Sequence, residues 1–442
     1  MVVDNDAVFI AFAKNSHQPV SAHPTDVKAF AGDLAMLLAR LSKAFGDLEH
    51  PGGTVLLGRT TPDPDAPYDV LDMLGFPKDA PTTEDEARNH PVLAPARNVG
   101  WKCAQIGPWM TFHRPNSAPV HIGILPWLTS DNFELIDPDP IVMAWRMQWL
   151  GAWLGSPYRA RPGVTALAGM KGFISGRSPY WKPSWDHVEP IACGMHWERP
   201  YNWDSPSVEA LQLDHTWMHG WDIKGQFLAA ASGAMLPRDA LRHTKLHDYD
   251  GSAGYWQIVV PGWAYNRVLP HPAGNYQPGE TVWVTSPRME LLIKVANDYQ
   301  EIAAPVILDS WTAPNPARLL RPWAERCRDM VAAAKAEPDE RESEILGTAA
   351  KHAYAHAIAM LRSQDSTIRR PDWNDTINGH AASGMWLKLY HQYRVDNRIP
   401  IKIQHDMAYY PSSMDNAEND RPSTFDTSGR IGRFAYKKSV EL

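Results

Sequence analysis

The chain has 442 residues, 44% of them hydrophobic, which is enough for two or three domains with their own cores. A net charge of −7 and a pI near 6.2 argue against a protein that coats nucleic acid by bulk charge, though not against a local basic groove. No uncharged apolar run approaches the ~20 residues of a membrane helix, "MVVDNDAVF" lacks a basic signal-peptide start, and Cys103, Cys193 and Cys327 show no CxxC spacing. The expectation is a cytoplasmic protein with reduced thiols, no membrane partner, no disulfide framework and no structural zinc.

Residues 25–46 place Phe30, Leu34, Leu37, Leu38, Leu41 and Phe45 on one face, behind a cap at Thr25 and ahead of Gly46, which predicts an amphipathic helix. The Pro-, Asp-, Gly- and Thr-rich text from 50 to 97 reads as exposed loop. "APVHIGILPWL" (118–128) reads as a buried strand and "PIVMAWRMQWLGAWLG" (140–155) as a helix, closing a first α/β domain at 1–155. Residues 156–206, rich in Pro, Gly, Trp and Arg, read as an irregular linker. Beyond it, "GYWQIVVPGW" and "ETVWVTSPRMELLIKVA" predict strands followed by a short helix. Helices are predicted at 319–337, 341–362 and 373–393, and "IPIKIQHDMAYYPSS" (399–413) is a strand entering a turn. The tail reads as mobile until "GRFAY".

Within this order, "HGWDIKGQFLAAASGAMLP" (219–237) puts Asp222 at the mouth of an apolar run, and Asp406 lies in the later apolar strand. Two acidic strand ends thus bracket a helical insertion. Two carboxylates on neighbouring strands are what two-metal nucleotidyl transfer requires, since one ion activates the attacking hydroxyl and the other neutralises the triphosphate. Magnesium takes oxygen ligands and keeps several waters, so two aspartates, substrate phosphates and a backbone carbonyl suffice.

The order D-I-K-G-Q-F-L-A, Asp222 to Ala229, resembles the first palm motif of family B DNA polymerases: an aspartate, a small residue at +3 and an aromatic at +5. Leu228 stands where that motif usually has proline. In "LGTAAKHAYAHAIAML", Lys351 and the small Ala359 at +8 resemble the K-x3-N-S-x-Y-G fingers motif, with Ala355, His356 and Ile358 departing from it. The family's third motif carries D-T-D-S; "IQHDMAYY" offers one aspartate behind His405 and is closer to the H-D pair of family A. The resemblance implies an α+β right hand, with first palm part at 207–318, fingers at 319–372, and second palm part and tail at 373–442. The N-terminal domain would be a degenerate, ribonuclease-H-like exonuclease domain, because "VHIGILPW", the candidate strand for its D-x-E signature, contains no acid. Implied roles follow: Asp222 and Asp406 hold two Mg²⁺ or Mn²⁺ ions, Phe227 excludes a 2′-hydroxyl, and Lys351, Tyr354, Arg326 and Arg328 bind dNTP.

A second resemblance, over roughly residues 100–435, is to telomere-associated proteins of linear actinobacterial replicons and related actinophage proteins. It rests on "VHIGILPW", "GSPYRARPG", "HGWDIKGQFLAA", "STIRRPDWNDTINGHAASGMWLKLY" and "IQHDMAYY". It implies work at DNA ends, protein-primed, beside a terminal protein whose hydroxyl receives the first nucleotide.

Each residue also has a plainer reading. Asp222 alone suits a helix N-cap, and Lys351, Arg326 and Arg328 suit a solvated helix face. The basic aromatic stretch 158–185, with Arg159 and Arg161, would track single-stranded DNA by charge and stacking or lie as a surface loop; Arg369 and Arg370 in "RRPDW" face the same choice. The i, i+4 pairs His215/His219 and His243/His247 match no HExxH pattern and have no third ligand in sequence. The single aspartate of the third motif admits a rival function: a non-catalytic DNA-end binding protein that keeps the palm as scaffold for a terminal protein. A metal-dependent nuclease would call for three or four clustered acids, which the sequence does not assemble.

Overall fold

The structure is a computed structural model, and it describes residues 2–4, 7–9, 34–44, 53–58, 70–117, 119–129, 133–175, 198–207, 215–363, 366, 368–426, 428 and 430–441. The chain is α+β and divides into two compact units, Met1–Phe173 with Asp329–Ala357, and Ile174–Arg328 with Ile358–Leu442.

The first unit holds a mixed five-stranded sheet of β1 (Val2–Asp4), β2 (Ala7–Phe9), β3 (Gly53–Leu57), β4 (Trp109–Phe112) and β5 (Val120–Ile124), in the order β2-β1-β3-β5-β4. β3 runs parallel to β1 and β5, while β2 and β4 are antiparallel to their neighbours. Val55, Leu57, Met110, Phe112, Val120, Ile122 and Ile124 enter one hydrophobic cluster with Leu34, Leu37, Leu38 and Leu41 of α1 (Leu34–Ala44). Strand alternation then assigns Thr54, Thr111 and His121 to the other face. Only 34–44 of the helix predicted at 25–46 falls within the described residues.

The loop reading of 50–97 is overturned. That stretch contains β3 and the short helices α2 (Val70–Leu74), α3 (Glu84–Asn89) and α4 (Ala94–Asn98). "GTVLL" ends in three apolar residues, Val55 to Leu57, all fully buried because both faces of the strand are covered, a run too short to stand out between Pro- and Asp-rich flanks. Within the stretch read as irregular, 156–206, residues Pro162–Ser175 instead form helix α6 after α5 (Pro140–Leu154), with proline at its start and small residues along it, while 176–197 lie outside the described residues. Arg146 on α5 is fully buried and donates to Glu342, to Asp137 and to the Leu135 and Ile136 carbonyls.

The second unit has two antiparallel sheets. One orders β14 (Phe434–Glu441), β7 (Trp217–Ile223), β13 (Met407–Ser412), β12 (Lys402–His405) and β6 (Tyr201–Asp204) side by side. The other orders β10 (Thr281–Thr285), β9 (Ala253–Val259), β11 (Val306–Ala313) and β8 (Arg242–His243). Helix α7 (Gln226–Gly233) follows β7, α8 (Ser286–Asn297) follows β10, and both pack on α11 (Pro371–Asp396). Helices α9 (Arg321–Lys335) and α10 (Glu340–Met360) answer the predictions at 319–337 and 341–362, and the chain crosses to the first unit within α9 and back within α10. The tail is not free before "GRFAY": Phe425 is buried, with its ring stacked on Phe434 at 4.1 Å.

Trp221, Trp256, Trp386 and Tyr410 are buried in one cluster that joins both sheets to α8 and α11. Beside it lies an ion pair without solvent: Arg288 donates to Glu198 through Nε at 3.0 Å and Nη2 at 2.6 Å, and Glu198 also accepts from the Thr285 hydroxyl. Removing one member strands a buried charge. Arg288→Ala is therefore expected to cost about 3–5 kcal/mol in urea denaturation, and Arg288→Met combined with Glu198→Leu less than the single variant.

Candidate active site

β7 ends at Asp222–Ile223, and the chain then turns through Gly225, whose φ of 56° is left-handed, into α7. Glycine enters that conformation without a Cβ penalty, so the helix starts at Gln226, four residues after the carboxylate. Gln226 anchors α7 by donating to the Ala381 carbonyl of α11. Asp222 is thus a strand-end residue and not the helix N-cap, a position Gly225 occupies.

Asp406 lies at the tip of a hairpin. The predicted single strand at 399–413 is two strands, and Gln404 pairs with Met407 across the two-residue turn His405–Asp406. His405 takes a φ of 59°, in a region costly for a residue with a Cβ. β13 lies against β7 with Met407 opposite Asp222, and the Ile223 amide donates to the Asp406 carbonyl at 3.0 Å. Register and turn together bring the two carboxylates side by side.

Their electrostatics show the cost of this placement. Burial, then the negative charge of Asp222, raises the Asp406 carboxyl from the usual value near 3.8 to about 6. Asp222 Oδ1 is buried without a hydrogen-bond partner. Its Oδ2 lies 3.6 Å from Lys437 Nζ. Lys437 is the extra residue of a bulge in β14, where Tyr436 pairs with Trp221 and Lys438 with Gly220. Bulges re-aim side chains beside functional sites. The sequence reading missed this lysine, because nothing in "AYKKSVEL" marks which strand it joins.

An orphaned carboxylate oxygen beside a second carboxylate with a raised pKa suits a divalent cation, whose charge would relieve both. Asp222 and Asp406 would hold it. They stand as a pair, since among the described residues no three His, Cys, Asp or Glu side chains gather as a metal site.

The remaining candidates are more dispersed. Phe227 is half-buried in the first turn of α7; Arg326 is half-buried and Arg328 exposed on α9. Lys351 is exposed and Tyr354 half-buried on α10, in the part belonging to the first unit. Arg369 and Arg159 are half-buried and Arg161 is exposed. Arg370, expected at DNA phosphate, is fully buried: it donates to both oxygens of Asp372, at 2.9 and 2.6 Å, and to the Pro237 carbonyl. Proline 371 starts α11, which draws this arginine into the core as a helix anchor. Of the histidine pairs, His219 has both ring nitrogens engaged, with Ser439 and the Met414 carbonyl, and His243 pairs with Asp309.

The raised Asp406 pKa carries a sign. Between pH 4 and 6 the folded state holds a proton that the unfolded state has released, so stability falls as pH rises through that window. Asp406→Asn is expected to melt higher than the parent above pH 6 without divalent cation, with the advantage vanishing below pH 4. Equal melting temperatures at pH 7 would contradict the charge opposition.

No protein-family model matches the chain, and no curated protein matches it. Among solved structures, similarity is found to phi29 DNA polymerase in its orthorhombic crystal form, at 9% identity and TM-score 0.48, covering 92% of this chain and 78% of that one. The same polymerase complexed with primer-template DNA gives 10% identity and TM-score 0.46 over the same shares. Its ternary complex with primer-template DNA and incoming nucleotide gives 9% and 0.46, covering 76% of this chain and 69% of that one.

Proposed function

We propose that the five-stranded sheet of the second unit is a polymerase-like palm and that the protein catalyses DNA nucleotidyl transfer at DNA ends, on primer-template or single-stranded DNA or from the hydroxyl of a terminal protein. The carrying observation is the Asp222–Asp406 pair, with one orphaned oxygen and one raised pKa, at a strand end and the tip of the adjoining hairpin. A cation bound there, Mg²⁺ or Mn²⁺, supplies Lewis-acid stabilisation of a phosphoryl group. The chain's part is to hold two carboxylates against their mutual repulsion and to carry Phe227 one helical turn away, facing the sugar of a dNTP. Lys351, Tyr354, Arg326 and Arg328 enter this reading as nucleotide ligands from the sequence resemblance, and Arg159, Arg161 and Arg369 as DNA contacts from the basic character of their stretches. The first unit's mixed sheet, with β1, β3 and β5 parallel, supports the ribonuclease-H-like reading of that unit.

One observation favours a second function. Lys437 already faces Asp222, and no third carboxylate joins the pair among the described residues. A lysine compensating an aspartate suits a palm retained as a scaffold that binds DNA ends and recruits a terminal protein.

Incubation with Mn²⁺ or Mg²⁺, labelled dNTPs, and either primed DNA or a candidate terminal protein separates the two. Asp222→Ala and Asp406→Ala are expected to lower incorporation by about 100-fold or more, as loss of a preorganised electrostatic partner does. Mn²⁺ should raise the melting temperature of the parent and of neither variant. Equal incorporation by all three proteins would refute catalysis at this pair.

A further inference from the structure

The first unit carries a group of basic and polar side chains to which the palm reading gives no role beyond a general DNA contact at Arg159. On the sheet face opposite the hydrophobic cluster, Thr54, His121 and Thr111 stand in a row across β3, β5 and β4, and His113 follows two residues beyond Thr111. The segment Tyr158–Ala160 crosses this face: Thr54 Oγ1 donates to the Tyr158 carbonyl at 2.7 Å and accepts from the Ala160 amide at 3.4 Å. Ala160 has a φ of 47°, strained for a residue with a Cβ, and the Arg159 amide donates to Thr165 Oγ1 at 2.8 Å. Arg159 is thereby fixed on both sides and held over the polar row.

The guanidinium so placed lacks a counter-charge. Arg159 is half-buried, its Nε is buried without a hydrogen-bond partner, and no carboxylate pairs with it among the described residues. Burial followed by Arg159 lowers the imidazoles of His113 and His121, the latter to about 3, and no acid opposes the effect at any of the three groups. His121 is 5% exposed and neutral near pH 7. Thr111 Oγ1 lies 3.0 Å from its Nδ1; with the hydroxyl donating, Nε2 carries the proton, and Nε2 is buried without a partner. Next to this row opens a cavity of about 510 Å³, lined by Lys102, Cys103, Gln105, Trp109, Thr111 and His113. Reciprocal backbone hydrogen bonds between Lys102 and His113 set those two side by side on its wall.

A half-buried guanidinium without an acid, beside an unpartnered imidazole donor and an exposed lysine, disfavours every cation and is completed by an anion. The cavity volume is that of a small-molecule site, and the Trp109 wall offers a flat surface for a base. We propose that a phosphate group binds where this polar row meets the cavity, with Arg159, held over the row, as principal ligand and Lys102 and His113 on the cavity wall. The phosphate is inorganic or carried at the 5′ end of a DNA strand. The proposal does not depend on Asp222 or Asp406.

The test is calorimetric titration of the full chain with inorganic phosphate and with a short oligodeoxynucleotide, with and without a 5′-phosphate. Parent and Asp222→Ala are expected to bind phosphate equally. Arg159→Gln should bind at least about tenfold more weakly, or about 1.4 kcal/mol, and His113→Gln measurably more weakly. Arg159→Gln should also melt no lower than the parent, because it removes an uncompensated charge. Phosphate should raise the melting temperature of the parent and of Asp222→Ala, and not that of Arg159→Gln. Tighter binding of the phosphorylated oligonucleotide than of its unphosphorylated twin assigns the phosphate to a strand end; preference for inorganic phosphate assigns it to the free ion. Unchanged phosphate affinity in a folded Arg159→Gln variant, or no binding by the parent at millimolar phosphate, overturns the proposal.

Discussion

The second unit depends on one constraint: two like charges are held side by side, one at a strand end and one at the tip of the adjoining hairpin. Left to themselves, buried carboxylates move apart or protonate, and the raised Asp406 pKa records that tendency. What prevents separation is backbone. The Met407–Asp222 register and the Ile223 amide bond to Asp406 lock hairpin tip to strand end. A left-handed turn at Gly225 and a strained one at His405 are the local conditions for that lock. β14 on the other side of β7 makes Asp222 the end of an interior strand, and its bulge supplies Lys437 as a partial counterweight.

Behind the sheet, rigidity comes from charges that are fully compensated. Tyr255 and Arg362 both donate to Asp375 of α11, and Arg370 is bound to Asp372 at the same helix's start. Such pairs are costly to create but specify geometry, since each has a single satisfied arrangement. Satisfied pairs in the core and an unsatisfied pair at the strand ends mark the difference between a scaffold and a site.

Much of this was legible in sequence where periodicity was long. The helices at 321–335, 340–360 and 371–396 fall within a few residues of their predicted spans, and the strand-to-helix turn after Asp222 was readable from charge, glycine and apolar run. Short elements were not. β3 has only three large apolar residues, Val55 to Leu57, inside Pro- and Asp-rich text, and α6 is built of small residues that give no strong stripe. Arg370 reads as a surface charge in "RRPDW", yet Asp372 two residues on makes it a core residue. Lys437 and Arg159 were beyond reach for a different reason: their significance depends on a strand partner and on a crossing segment that only the fold supplies.

The interleaving of the two units has a consequence for how the molecule forms. The first unit includes residues 329–357, which lie between segments of the second, and the second is completed only by residues after 357. Contacts that define both units therefore span long stretches of chain, and closing such loops slows folding relative to local helical contacts. Neither unit can be cut out as one continuous piece, and during synthesis the first must wait for a segment that emerges after most of the second has been made. The order of assembly is thus written into the connectivity: β7 is made before both of its neighbours, the hairpin bearing Asp406 and then β14.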